Sequence, residues 1–411
     1  ATLNDWNFRR LLAQDYVAVC TNPPYLNKYN AKLKDFVNDK YKDYSGDLFS
    51  VFIYRNLLLC KPNGYCGFMS PFVWMFIKTY EKLREFIIQS KSITTLIQME
   101  YSAFEEATVP ICSFVLRNKK SNEAGLYFRL SDFKGGMEVQ RQKVLAAIAN
   151  PDCGYFYEAQ QSNFSKIPGS PVAYWWKEYG IFDFPTIKKY YESAGRNKTH
   201  NNEKYTRNWW EVSDTHKWQP YANGGLFRRW AGNDYDVVDW SDTAMKFYAS
   251  HGGLYNQIYR GKRGICWNLI TSYKNGFRIK HETHHYSSGA PTIIAIDGSQ
   301  NQDYWILAYL NSVVASTLLR IYNPTLNTTV SDVLGLPVAF ERNNEITTLS
   351  CDSIRLSQSD WDSYETSWDF KGHPLVRLKL ASAYAWGDKP PDMRLASAYN
   401  AWKLECEGRF E

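Results

Sequence analysis

Asn22, Pro23, Pro24 and Tyr25 follow the short run "YVAVCT", and no other stretch of the chain sets residue types in an order so suggestive of chemistry. The run before them is apolar and β-branched, so Tyr16–Cys20 reads as a buried strand with the tetrapeptide at its carboxyl end. Two consecutive prolines fix φ and remove two backbone donors, which leaves rigid carbonyls facing outward. The Asn22 side-chain carbonyl and the main-chain carbonyl of Pro23 are then two acceptors for the hydrogens of one exocyclic ring amine. Such an amine on adenine is a poor nucleophile, because its lone pair is delocalised into the ring. Accepting both hydrogens holds that lone pair toward an electrophilic methyl group. On this reading Asn22 is an acceptor and not a base, and Tyr25 offers a flat face to a base turned out of the duplex. The alternative is a plain strand-to-loop turn, which Asn-Pro favours. Position at the carboxyl end of a strand, where ligands sit in open α/β sheets, favours the chemical reading.

The elements that must hold this turn alternate. "DLFSVFIYRNLLLC", 47–60, reads as a helix, Lys61-Pro62-Asn63-Gly64 as its stop, and "YCGFM", 65–69, as the next strand. "TYEKLREFIIQS" reads as a second helix, with strands at 93–99 and 111–117. The expected fold is α/β, the second half of a doubly wound parallel sheet without its first half. From about 150 the alternation gives way to short Trp- and Tyr-rich segments, as in a separate mixed α+β domain, with a boundary near 135–150. The divisions expected are 1–140, 150–345, and a helical segment at 350–411. "YWILAYLNSVVASTLLRIY", 304–322, reads as one packing helix, and "LASAY" recurs at 380–384 and 395–399, which suggests paired helices.

Ile258–His281 holds Arg260, Lys262, Arg263, Lys274, Arg278 and Lys280 with no Asp or Glu, and Tyr259, Trp267, Tyr273 and Phe277 are interleaved. Such a stripe suits phosphate tracking by a DNA-binding face; the bland alternative is a solvated cationic surface. Arg228 and Arg229 are further candidates for DNA, or else brace the carboxylates of "NDYDVVDW". "HETHH", 281–285, matches the spacing of a zinc-protease helix. Its flanks read as a strand running into a turn, where positions four apart lie about 13 Å from each other, so no metal is expected. Eight scattered Cys without a CxxC pair suit reduced thiols in a cytoplasm. No apolar run reaches the roughly 18 residues of a membrane span.

"TNPPY", then "GDLFSVFIYRNLLLCKPNGYCGFMSPFVW" and "FEEATVPICSFVLRN", resemble the later motifs of the amino-methyltransferases that act on adenine in DNA with S-adenosylmethionine. "RNWWEVSDTHKWQPYANGGLFRRWAGNDYDVVDW", 207–240, resembles the target-recognition stretch of fused restriction–methylation enzymes. "NPTLNTT", "DVLGLPV" and "DWDSYETSWDF" resemble the PglX family of BREX phage-defence systems. The resemblance implies that Asn22, Pro23 and Tyr25 act on a flipped adenine, with Phe104 as a second stacking ring or else a loop-packing residue. It places Asp47, Leu48 and Phe49 near the cofactor's adenine, although an acid on a helix N-terminal dipole explains Asp47 equally. The implied partners are double-stranded DNA and other defence proteins. The glycine-rich cofactor loop of the family has no counterpart here, so this chain alone is expected to hold S-adenosylmethionine poorly. Two other readings stay open. One is a DNA-specificity module without chemistry, and the other, more distant, is methylation of a glutamine amide.

Overall fold

The computed structural model describes residues 3–101, 109–271, 274–298, 300–323, 325–339, 344–376 and 391–408. Phe104, Tyr273 and the first "LASAY" copy lie outside the described residues. The chain divides into two compact units, 1–184 with 320–325, and 185–319 with 326–411.

In the first unit, α1 (Leu3–Leu12) leads into β1 (Tyr16–Thr21). After the prolines come α2 (Ala31–Lys40) and α3 (Leu48–Leu59), and β2 (Cys60–Pro71) then returns in parallel beside β1. α2 starts where the Asn30 side chain accepts from the Leu33 amide, and α3 where Asp47 does the same for Phe49. Its apolar residues Phe49, Val51, Ile53 and Leu57 are buried. Lys61–Gly64 is not a stop between elements. It is an irregularity within β2, with Asn63 at φ +66, where the register against β1 jumps from Cys60 to Tyr65.

The six-stranded sheet runs β1-β2-β4-β3-β5-β6, with β3 at Ser92–Gln98, β4 at Ile111–Arg117, β5 at Gly125–Arg129 and β6 at Phe156–Ala159. The parallel pairing that the alternation implies is present between β1 and β2 and between β3 and β5, while β4 lies between β2 and β3 and is antiparallel to both. β4 follows β3 in the chain and pairs directly with it, the arrangement of a hairpin and not of a helical crossover. One face is sealed by α3 and by α4 (Glu81–Ser90), through Ile53, Leu57, Leu83 and Ile87 against Phe68, Phe114 and Leu96. On the β3/β5 side a separate cluster forms with α5 (Gly136–Ala149), where Ala147 meets Phe128 and Ile97.

The expected boundary near 135–150 falls inside this unit. Residues 161–175 belong to its core through Phe164, Val172 and Tyr174. Arg84, buried on α4, donates to the carbonyls of Trp74, Ile77 and Gly169, which fixes that segment against the helix.

The second unit holds two four-stranded sheets. One is β13 (His285–Tyr286), β9 (Trp218–Ala222), β10 (Asp236–Asp239) and β8 (Thr206–Asn208); the other is β12 (Arg278–Lys280), β11 (Gly264–Cys266), β14 (Thr292–Ala295) and β7 (Tyr191–Ser193). Trp240, Tyr248, Tyr255, Tyr286 and Ile294 share one core. The helix expected over 304–322 is two helices, Gln300–Asn311 and Val313–Tyr322, bent by 70°. Among the described residues no single helix is long and apolar enough to cross a membrane. This bent pair passes by length and composition only, and its residues Ile306, Leu307, Leu310 and Leu318 are buried in the protein. The helix Asn344–Trp361 begins the expected tail but packs within this unit, where the Ser350 hydroxyl donates to the Tyr304 carbonyl at 2.9 Å.

Candidate functional site

Asn22 follows the last residue of β1, so the strand delivers the tetrapeptide to its carboxyl end. Pro23 is buried, Asn22 and Pro24 are exposed, and Tyr25 is half-buried. The Tyr25 hydroxyl donates to Asn22 Oδ1 at 3.1 Å and lies 3.4 Å from the Met69 carbonyl of β2. Burial, with a smaller contribution from Cys112, raises its pKa, so it remains a donor. A carbonyl oxygen has two lone pairs, so Asn22 keeps acceptor capacity beyond this bond. The Tyr25 ring meets Phe49 edge-on, 6.4 Å between centroids at 88°. Two hollows flank the turn. One, about 480 Å³, is bounded by Tyr25, Lys28, Pro71, Val73, Ile77 and Tyr80. The other, about 380 Å³, has Asn22 on its rim with Thr21, Gly67, Met69 and Ser113.

Asp47 is committed to the backbone. Its Oδ1 accepts from the amides of Leu26 at 2.9 Å and Phe49 at 3.2 Å, and the Leu48 amide donates to the Leu26 carbonyl at 2.9 Å. The residue after the tetrapeptide is thereby tied to the first turn of α3. Phe49 is a buried core residue packed on Tyr80, with ring centroids 5.1 Å apart. Both residues also border the hollow of about 480 Å³ beside Tyr25, so their place against a cofactor stays a proposal, with one Asp47 oxygen already engaged by two amides. S-adenosylmethionine presents a carboxylate, an ammonium and ribose hydroxyls. The hollow beside Asn22 is lined by no charged side chain, whereas the one beside Tyr25 is lined by Lys28 and Asp47, whose amine and carboxylate suit the charged and hydroxyl groups of that molecule.

The basic stripe divides into two kinds of residue. Arg260, Lys262 and Lys274 are exposed. Arg278 and Lys280 are buried, each 2% exposed, which removes them from any phosphate-facing surface. They lie two apart on β12 and therefore point to one side of it. Arg278 Nη2 donates to Asn268 Oδ1 at 3.0 Å, and the Lys280 amine donates to the His284 carbonyl at 3.0 Å. Burial lowers the Lys280 pKa to about 8. Arg263 is half-buried between Asp303, at 3.7 Å, and the Tyr304 ring. Arg228 pairs with Asp360 at 2.5 Å and lies over Trp361. It pairs with the carboxylate of the helix at 344–361 and also acts electrostatically on Asp234 of "NDYDVVDW". Arg229 stands over the Phe227 ring at 5.8 Å.

"HETHH" runs from just after β12 through a turn into the first residue of β13, and is not a helix. His285 Nδ1 shares a hydrogen bond with the Tyr255 hydroxyl at 2.8 Å and stacks on Trp240, while His284 Nε2 lies 3.5 Å from Asp234. Burial disfavours charge on both members of that last pair, lowering His284 to about 3 and raising Asp234 to about 7. No group of three or more His, Cys, Asp or Glu among the described residues is arranged to hold a metal ion.

With this geometry in place, comparison with known proteins is informative. Residues 2–104 match the Eco57I restriction-modification methylase family. The adenine-specific methyltransferase PglX of Lacticaseibacillus casei is 29% identical over 445 residues, covering 99% of this chain and 36% of that protein. BrxX of Escherichia coli O9:H4, also an adenine-specific methyltransferase, is 28% identical over 393 residues, covering 92% of this chain and 32% of its own. The chain is a relative of PglX and BrxX. It spans about a third of the length of either. Two solved structures share its fold. A nuclease-deletion mutant of the Type ISP enzyme LlaGI has TM-score 0.58 at 11% identity, over 86% of this chain and 36% of that one. The Type IIL enzyme MmeI has TM-score 0.57 at 12% identity, over 95% and 57%.

Residues that the sequence reading missed are those joined only by the fold. Leu26 and Asp47 are 21 positions apart, and nothing local joins them. Asn268, which accepts from the Arg278 guanidinium, lies ten positions from it, and a strand "FRIK" with a neutral amide nearby is the available signal.

Proposed function

We propose that this chain carries the base-handling turn and the DNA-reading part of a DNA adenine methyltransferase of the restriction-modification and phage-defence type. The observation that carries the proposal is the Asn22-Pro23-Pro24-Tyr25 turn at the end of β1, held by Asp47 and the Met69 carbonyl between two hollows. The sheet order supports reading the first unit as the second half of a doubly wound methyltransferase sheet. PglX and BrxX are adenine-specific methyltransferases by name.

On the acceptor side, a base turned out of the duplex stacks on Tyr25. Its amine donates one hydrogen to Asn22 Oδ1 and the other to the Pro23 carbonyl, which holds the nitrogen lone pair free of both. The interaction strengthens as positive charge develops on the nitrogen, so it lowers the barrier more than it aids binding. S-adenosylmethionine supplies the methyl group in this chemistry; no step through it is derived from the residues described. Double-stranded DNA is the proposed partner in the cytoplasm. LlaGI was solved with a DNA substrate mimic and MmeI with DNA, and exposed Arg260, Lys262 and Lys274 offer phosphate contacts here. Nucleoside mass spectrometry of DNA treated with the enzyme that carries this sequence should reveal N6-methyladenine, lost in Asn22→Ala. Unmodified adenine with the native protein, or undiminished product with the variant, contradicts the proposal.

A further inference from the structure

Leu226 and Phe227 are apolar, adjacent and 82% and 49% exposed, yet the loop that carries them is built as rigidly as a core. Their backbone is held from beneath by two amides. Asn233 Nδ2 donates to the Leu226 carbonyl at 2.7 Å, and Asn268 Nδ2 donates to the Gly225 carbonyl at 2.7 Å and reaches the Leu226 carbonyl at 3.3 Å. Buried Arg278 in turn fixes Asn268. Gly225 has φ +118, and a Cβ there would lie 2.9 Å from the Asn233 side chain, so the approach needs glycine. Trp230 and Asn233 both take positive φ, at +71 and +67, a conformation that non-glycine residues hold only where the surroundings enforce it. A mobile surface loop needs none of this.

Two neighbouring loops add to the same patch. Asn268 is followed by Ile270, 65% exposed, which bridges Asn327. The Thr271 amide donates to the carbonyl of Leu326, itself 51% exposed. No acid occurs in 223–230, 268–280 or 325–331, while Arg229 stands over the Phe227 ring. Arg228 is neutralised by Asp360, and half-buried Arg229 and exposed Lys274 are the other cations of these segments outside the interior. A rigid apolar tip beside them matches the side chains that press between or against bases while neighbouring cations meet phosphate.

We propose that Leu226 and Phe227 form an apolar wedge that contacts the bases of duplex DNA, with Ile270 and Leu326 beside it and Arg278 and Asn268 as positioning residues beneath. The proposal rests on the reading of this chain as a DNA-binding protein. It gives Arg278 work that a phosphate contact does not require, namely pre-setting the loop so that little ordering remains to be done on binding.

The test measures fluorescence anisotropy of labelled mixed-sequence duplexes with the 411-residue chain, at several salt concentrations, for the native protein and for Leu226→Ser with Phe227→Ser. The expected result is affinity about tenfold lower or worse, an unchanged slope of log affinity against log salt, and an unchanged melting temperature. Equal affinity overturns the wedge, as does a flatter salt slope, which would mean phosphate contacts were lost instead. If the variant melts early, duplexes carrying 2-aminopurine decide with the milder Leu226→Ala, which shortens an exposed side chain: fluorescence should rise on binding native protein and rise less on binding Leu226→Ala, and an equal rise overturns the wedge. No rise overturns it. Equal DNA affinity with self-association lost in the variant would assign the tip to a contact between copies. Native protein that binds no duplex at all contradicts the DNA reading itself, a failure separable from a native binder whose variant binds equally well.

Discussion

The turn after β1 and the stripe at 258–281 both drew attention as sequence, and they behave differently in the fold. In the turn the residues proposed for the chemistry take most of their geometry from their own sequence. Proline fixes φ, the strand fixes direction, and Tyr25 reaches Asn22 three positions back. In the stripe the charges look equivalent but are not. Lys262 is solvated, Arg263 is half-buried against Asp303, and Arg278 and Lys280 are interior braces. A net charge summed over a window adds both sides of a strand and both kinds of burial. It locates a cationic region without saying which cations face outward.

The comparison can be broken at several points. Outside Asn22 itself, the largest effect is expected at Asp47, which holds the turn. Asp47→Ala should lower methyl transfer by the enzyme on the order of a hundredfold, equivalent to about 2.7 kcal/mol. Asp47→Asn, which keeps an acceptor oxygen, should recover most of that, and KM for S-adenosylmethionine should not move in either. A KM effect without a rate effect would give Asp47 the cofactor role. Next comes the contrast within the stripe. Arg278→Ala should cost roughly 2–3 kcal/mol in denaturant unfolding, because a buried network loses its charged donor. Lys262→Ala should stay within about 0.5 kcal/mol. Equal effects would mean that burial does not separate the two groups.

The smallest effect concerns Asp234. Its folded carboxyl is raised from 3.8 to about 7 by burial, against the opposing pull of Arg278. A group raised in this way holds its proton in the native state where the unfolded chain has lost it. Its contribution is present below the unfolded value and is lost as pH rises through 7. Asp234→Asn should therefore gain stability relative to the native protein as pH rises from about 4 to about 8. A constant difference across that range would mean the carboxyl is ionised throughout.

Much of the first unit was legible because its signals are local. The strand at 111–117 and the helix after Asp47 follow from apolar runs bounded by Gly, Pro and a capping acid. What escaped depends on distant neighbours. β4 takes an antiparallel place that no strand pattern states, and Asn63 takes a positive φ inside β2 where "KPNG" reads as an ending. The chain breaks near Ser312 although the apolar spacing over 304–322 runs on without a Gly or Pro. In the second unit the pairing of Arg228 with Asp360, 132 positions away, has no trace in either local sequence. A further local signal is "NGGLF", two glycines directly before two exposed apolar residues.

The central claim, that the first unit handles the base while exposed cations of the second hold the DNA, is tested most directly by a crossed measurement. Methyl transfer at saturating DNA and DNA affinity are measured for Asn22→Ala and for Lys262→Ala with Lys274→Ala. Asn22→Ala should lose at least about a hundredfold in transfer while affinity stays within a few-fold. The lysine pair should weaken binding, reduce the magnitude of the salt slope by roughly two, and leave transfer at saturation near that of the native enzyme. If Asn22→Ala keeps its rate, or if both variants lose transfer and affinity together, the division of labour proposed here is wrong.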